Sequence, residues 1–322
     1  MYDRTEQILE GYPIDFTGNM KGRGFSICTD AQGSYRLMEY SGSVHRLELM
    51  EQLLAHLDRH GIICEQLVRT KENELVKQGK VSDYYLRSYF YGEECDTRNK
   101  EAVIKCVRLL ARLHIALEQW ELAEDELQEA PDYIVTIDKR MREMRKVKNY
   151  ARSRKQRNDF ERAYLTFYEE AISQALQAKE FLQDSGDTAV KDQICHGDYN
   201  QHNLLFTSQG IAIVGFEKFR RETVVYDLAN FLRKILEKHN WNGGLGMDLV
   251  MAYNAIRPLE RAELLQLYAR LLFPEKFWKI TNRFYNAKKS QGVGVYGTKL
   301  EKLFVQEKKR QEFLSMLFYL IK

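Results

Sequence analysis

Only four prolines occur in 322 residues, so little in the chain forbids long helices. Cysteine is sparse as well. Cys28, Cys64, Cys95, Cys106 and Cys195 are odd in number and scattered, with no C-x-x-C pair, which argues against a disulfide framework or a zinc site and for a reducing compartment. No run of eighteen apolar residues exists to cross a bilayer. The opening stretch MYDRTEQILEGYPIDF is polar and acidic where an export signal is basic and then apolar, so export by the usual route is not expected. Charge of one sign is also lacking: 49 Lys and Arg face 46 Asp and Glu, a net charge of +3, and no overall field announces nucleic acid or a membrane as partner.

What is present is a globular composition, 44% hydrophobic and 30% charged, at a length that suits one large domain or two lobes. FSICTD and YRLMEY, between Phe25 and Tyr40, predict two strands joined by a turn at Asp30 and Gly33. Val44 to His60 carries Leu47, Met50, Leu53, Leu54 and Leu57 at helical spacing, with Gly61 as the stop. ICEQLVRT, ELVKQG and DYYLRSYFYG predict three further short strands. From Lys100 the texture turns helical: Val103, Val107, Leu110, Leu113 and Leu117 form one stripe, and helical patterns recur at 156–184, 222–238, 246–272 and 298–320, with prolines expected only near their ends. KRMREMRKVKNYARSRKQR, from Lys139 to Arg157, holds ten Lys or Arg against Glu143. A solvated helical face is the ordinary reading of this stripe, and a docking surface for an acidic partner or polyanion the functional one. Tyr150 alone offers a platform for bases, so no specific nucleic acid is expected.

The chemistry is concentrated in CHGDYNQHNLLFTSQGIAIVGFEKF. His196-Gly197-Asp198, four residues, then Asn203 is a pattern that chance would produce on the order of two times in a thousand chains of this length. The spacing suits phosphoryl transfer: Asp198 would accept the proton of an attacking hydroxyl, and Asn203, a short turn later, would hold a magnesium ion against nucleotide phosphates. His196 reads as the anchor of the loop.

This loop and the strand after it resemble the aminoglycoside phosphotransferase and choline kinase group, relatives of the protein kinases. LRSYFYGEEC at 86–95 is similar to the group's hinge strand, LLARLH at 109–114 to its helix entering the C-lobe, and VYDLANFLRK at 225–234 to the helix carrying a structural aspartate, here Asp227. The ending, FPEKFWKITNRFYNAKKSQG and KLEKLFVQEKKRQEFL, resembles the spore-coat branch of the group, the CotS family of endospore-forming bacteria. The resemblance spans nearly the whole chain. It implies an α+β, bilobal, protein-kinase-like fold: an N-lobe of sheet plus helix over 1–91, a hinge at about 86–92, and a helical C-lobe over 92–322 carrying the motif at 196–203. It also implies ATP and magnesium as cofactors. Gly22 and Gly24 of GNMKGRG, read as a turn, would cover a phosphate with backbone N–H groups; Tyr89 and Phe90 would lie at the hinge against the nucleotide.

Two positions depart from the group. Its magnesium-binding aspartate, on the strand after the catalytic loop, aligns with Gly215, and its nucleotide-binding lysine aligns with Met38. Glu217 is the carboxylate closest to the first gap, about 6.6 Å away along an extended strand, and Arg36 the cation closest to the second. Glu48 and Glu51, the helix acids that such a lysine would orient, then read as ordinary surface charges. Two functions are expected from this pattern. One is a spore-coat (pseudo)phosphotransferase that serves as scaffold or ligand-binding protein; the other is an active ATP-dependent phosphotransferase acting on a hydroxyl of a small molecule or coat component, with Asp198 as base and Asn203 and Glu217 as metal ligands. In either case the expected partners are other coat proteins and a small-molecule or polyanion ligand, with no membrane insertion. The expected location is the mother-cell cytoplasm and then the spore coat.

Overall fold

The computed structural model describes residues 2–22, 25–31, 33–121, 127, 130–184, 193–286 and 293–321. These fall into two compact units. The first comprises Met1–Asp96, Arg112–Leu122 and His196–Phe219; the second comprises Thr97–Ala111, Ala123–Cys195 and Arg220–Lys322.

In the first unit, helix α1 (Tyr2–Leu9) precedes strands β1 (Gly18–Gly22), β2 (Phe25–Thr29) and β3 (Ser34–Tyr40), helix α2 (Val44–Arg59), and strands β4 (Leu67–Val68), β5 (Asp83–Ser88) and β6 (Glu93–Glu94). The hairpin expected at Phe25–Tyr40 forms with Phe25 opposite Met38, and Gly33 N–H donates to Asp30 Oδ1 at 2.7 Å, the turn chemistry that the sequence offered. α2 follows the predicted span, capped by the Ser43 hydroxyl on Arg46 N–H and ended by Gly61 at φ 72°. Its Leu47, Met50, Leu53, Leu54 and Leu57 are buried. The sheet order is β1-β2-β3-β5-β4. Two expectations change here. GNMKGRG is not a turn through 18–22 but strand β1, paired with β2 so that Gly22 faces Phe25; Gly24 lies outside the described residues. ELVKQG makes no strand, only a bridge from Lys77 to Tyr84, because the chain turns back into β5 after that one pair.

Helix α3 (Lys100–Glu118) starts in the second unit, and its residues from Arg112 count with the first. Helices α4 (Tyr133–Ser153) and α5 (Asp159–Asp184) follow, then strand β7 (Gln193–Cys195). The segment 196–219 returns to the first unit with strands β8 (Leu204–Thr207) and β9 (Gly210–Ile213), which join β6 in the order β6-β8-β9. Strand β10 (Arg220–Glu222) pairs with β7 in the second unit. Helices α6 (Val225–Lys238), α7 (Gly243–Asn254), α8 (Arg261–Leu272), α9 (Glu275–Asn286), α10 (Val293–Val305) and α11 (Glu307–Tyr319) complete it around Phe160, Tyr164, Phe231, Phe277 and Phe313, all buried.

The helical pattern at 246–272 is two helices. Pro258 lies inside it, contrary to the expectation that prolines sit near pattern ends, and its fixed φ and missing N–H break the run. Asn254 Oδ1 then accepts from Leu259 N–H at 2.8 Å, and a Glu260/Glu263 capping box starts α8. The pattern at 298–320 also divides, at Gln306, whose N–H reaches back to Leu303 O in a tightened turn while its side-chain amide holds Glu237 O. α1 and α9 have no counterpart among the expected helices.

Candidate active site

The catalytic-loop motif and the strands that the sequence assigns to nucleotide binding lie in the same unit. His196 is buried. Its Nδ1 accepts the Asp198 N–H at 3.1 Å, which leaves the ring proton on Nε2, facing Val214 O at 3.1 Å. The imidazole therefore ties the loop to the strand end, the anchoring role read from the sequence. Gly197 has φ 80°, and a Cβ there would stand 2.0 Å from Lys218 O, so only glycine lets the two backbones approach.

Asp198 is about one-third exposed. Its Oδ2 is ion-paired with Lys218 Nζ at 2.7 Å, and its Oδ1 accepts from Asn200 Nδ2 at 3.0 Å. Asn200 also caps the short 3-10 turn at 201–203 by accepting from His202 N–H. That turn carries Asn203 back towards Asp198, where its Nδ2 donates to Asp198 O at 3.0 Å. The loop thus brings the predicted base and the predicted amide ligand together. A cation sits on the base.

Gly215, which begins the turn after β9, is left-handed at φ 83° and ψ 44°. A Cβ there would lie 2.9 Å from the Asn203 Cγ, Nδ2 and Oδ1, so the amide fills the space that an aspartate would need. The Gly215 and Phe216 N–H groups donate instead to Glu65 Oε1, at 2.9 and 3.3 Å. Glu65 also holds Arg87 of β5 at 2.6 Å, with side-chain exposures of only 2% and 3%. Arg87 extends the link to Glu217 Oε1 at 2.8 Å, and the same oxygen accepts from the Tyr85 hydroxyl at 3.1 Å.

Burial pushes the Glu65 carboxyl above its ordinary range against the pull of Arg87, and neighbouring Glu217 adds to the rise. For Glu217, burial acts upward too but is outweighed by Arg87 and hydrogen bonds, so the group is held low and ionised. Neither Glu65 nor Arg87 is among the site residues expected from the sequence. The signal for them was a charge inside each of the apolar runs ICEQLVRT and DYYLRSYFYG, since Glu and Arg are almost never fully buried unless paired.

On β3, Met38 stands opposite Tyr85 and Arg36 opposite Arg87, so all four share one sheet face. Burial lowers the Arg36 pKa and Arg87 lowers it further, while the charges of Glu217 and Glu65 oppose the shift. Tyr89 N–H continues the pairing to Ser34 O at 2.7 Å, Tyr89 packs edge-on against Tyr91 at 5.1 Å, and Phe90 is half-buried. Glu51 pairs with Arg69, and Glu48 with His45. A magnesium ion asks for near-octahedral oxygen coordination. Of the two predicted ligands, Asn203 offers an amide and Glu217 has an oxygen already committed to a guanidinium; as arranged, this donor set does not fit the ion.

The chain matches a family model described as "Spore coat putative kinase YutH" over residues 5–317. It belongs to this family. Within that setting, "Spore coat protein S" of Bacillus subtilis (strain 168) is 22% identical over 328 residues, covering 97% of this chain and 93% of that protein. An aminoglycoside phosphotransferase from Alicyclobacillus acidocaldarius superposes with a TM-score of 0.84 at 22% identity, covering 98% of this chain and 96% of that one. A choline kinase from Cryptosporidium parvum gives 0.60 at 12% identity, covering 98% and 97%. At these identities the structural matches speak for the fold alone: a mixed α and β kinase-like fold, a small antiparallel sheet with a helical remainder, in a family of spore coat kinase-like proteins.

Proposed function

We propose that this coat-family protein has exchanged phosphoryl transfer for a scaffolding role, its kinase-like site held shut by its own ion pairs. The observation that carries the reading is the commitment of Glu217: the carboxylate two residues beyond the glycine that aligns with the metal-binding aspartate is bonded to Arg87 and Tyr85. Lys218 similarly neutralises Asp198. Removing one preorganised electrostatic partner costs about 10²–10³ in rate, and the aspartate and the lysine are both replaced here. Such a protein would be made in the mother cell and placed in the coat among other coat proteins. The basic stripe is used within its own unit in part: Arg140 pairs with the buried Glu275, while Lys148 and Arg152 meet Glu169 at the surface.

A second reading, an active ATP-dependent phosphotransferase, is favoured by one feature: Arg36 lies on the same face as Met38, within the field of Glu65 and Glu217, where it could serve in place of the lysine. Asp198 would then be the base, and Asn203 with a released Glu217 would hold the metal. Calorimetric titration with ATP, with and without magnesium, separates the two. Scaffolding predicts no magnesium-dependent heat from the wild type. Magnesium-dependent binding that disappears in Arg36→Met would sink that reading and establish the second.

A further inference from the structure

In the second unit, the buried Glu222 and Glu275 and the largely covered Glu237 each hold two cations. Glu222 binds Arg220 at 3.1 Å and Arg270 at 2.9 Å; Glu237 binds Arg233 at 2.7 Å and Lys276 at 2.6 Å; Glu275 binds Arg140, and Lys279 at 3.0 Å. Six cations thus share three carboxylates. Glu143 lies close by but is taken by the Trp278 indole N–H at 2.6 Å and the Asn282 amide. The three glutamates with Arg140, Arg233 and Arg270 are 8–19% exposed, whereas Arg220, Lys276 and Lys279 are 41–44% exposed. Uncompensated charge away from water is costly, and proteins relieve it with a counter-charge or by neutralising the group.

A recess of about 170 Å³ opens among these groups, lined by Arg140, Arg233, Arg270 and Lys279 against the single carboxylate Glu275, with Tyr133, Tyr226 and Trp278 in its wall. The rings do not await a ligand, for the guanidiniums already cover them: Arg140 lies 4.3 Å from the Trp278 centroid, and Arg270 4.2 Å from that of Tyr133. The buried Arg270 Nε has no hydrogen-bond acceptor among the described residues. We infer that this recess between α4, α6, α8 and α9 binds a small, multiply charged oxyanion, a phosphorylated or polycarboxylate metabolite, as the counter-ion of the cation cluster. The volume is below that of drug-sized ligand sites, which favours a compact anion. Burial, with Arg233 and Arg140 beside it, depresses the Lys279 pKa despite Glu275, a strain that a bound anion would relieve. The sign of the recess also excludes an amine-bearing ligand, and the inference stands whether or not the first unit transfers phosphate.

The test is calorimetry on the full chain with inorganic phosphate and with citrate, each against chloride at equal ionic strength. At least one anion is expected to bind, and whichever is tighter identifies a phosphorylated or a carboxylate ligand. Lys279→Met, at a half-exposed position, should weaken that binding by about tenfold, the loss of one charge-assisted hydrogen bond. Arg140→Met should do the same, and Lys80→Met, on the exposed surface of the first unit, should leave it unchanged. Binding of neither anion overturns the inference. So does binding that survives both Lys279→Met and Arg140→Met, because the anion would then sit outside the recess.

Discussion

At the residue scale, Gly215 shows what a position without a side chain permits. Its φ of 83° belongs to the left-handed region, where a side chain costs about 1–2 kcal/mol. The Asn203 amide adds a steric demand 2.9 Å from the absent Cβ. Gly215→Ala is therefore expected to destabilise the protein by about 1–2 kcal/mol or more in urea unfolding, whereas Gly33→Ala, with open space around its Cβ, should change little. Equal effects at the two sites would contradict the strain argument. In the sequence, the resemblance of the loop motif is what aligns Gly215 with a metal-binding aspartate. That Asn203 fills the space, and that Gly215 gives its N–H to Glu65, was invisible, since both depend on a left-handed turn that one glycine does not announce.

At the element scale, the Glu65–Arg87 pair fastens strand β5 to the turn at 215–216 and to the chain leaving α2. Breaking a buried pair from one side strands the other charge, at about 3–5 kcal/mol, whereas removing both is far milder. Glu65→Gln and Arg87→Met should each destabilise on that scale, and the double variant should recover much of the loss. Strictly additive single effects would show that the pair is not coupled. Elements with a strong period or a clear stop were legible: α2 ends at its glycine, and the hairpin turns where Asp30 and Gly33 predict. The errors came where local chemistry interrupts a continuous apolar pattern, as Pro258 does between α7 and α8, or where glycines that read as a turn pair as strand residues with the next strand, as in β1.

At the scale of the whole molecule, the distribution of shifted carboxyls predicts where acid acts first. In the second unit, burial would raise Glu237 and Glu275, but Arg233 and Lys276 hold the first, and Arg140 and Lys279 the second, below the ordinary value of 4.5. A carboxyl lowered in the folded state binds fewer protons there than in the unfolded chain. Its contribution is complete above the unfolded pKa and lost as pH falls through the folded one. In the first unit Glu217 and the exposed, solvent-screened Glu72 behave in the same way, but the buried Glu65 is raised and has the opposite sign; in the second unit the raised Glu170 is far more exposed than Glu65, so acid costs the first unit less. Stability should therefore hold from neutrality to about pH 5 and decline below about 4.5, with the second unit leading. Trp241 and Trp278 report on that unit and Trp120 on the first, so variants that retain one set of tryptophans can follow each by fluorescence during urea unfolding at a series of pH values. Glu237→Gln should flatten the acid decline of the second unit, because one of the two groups that drive it can no longer titrate. An unchanged slope in that variant, or a first unit that fails before the second, would show that the paired glutamates do not govern the acid limit.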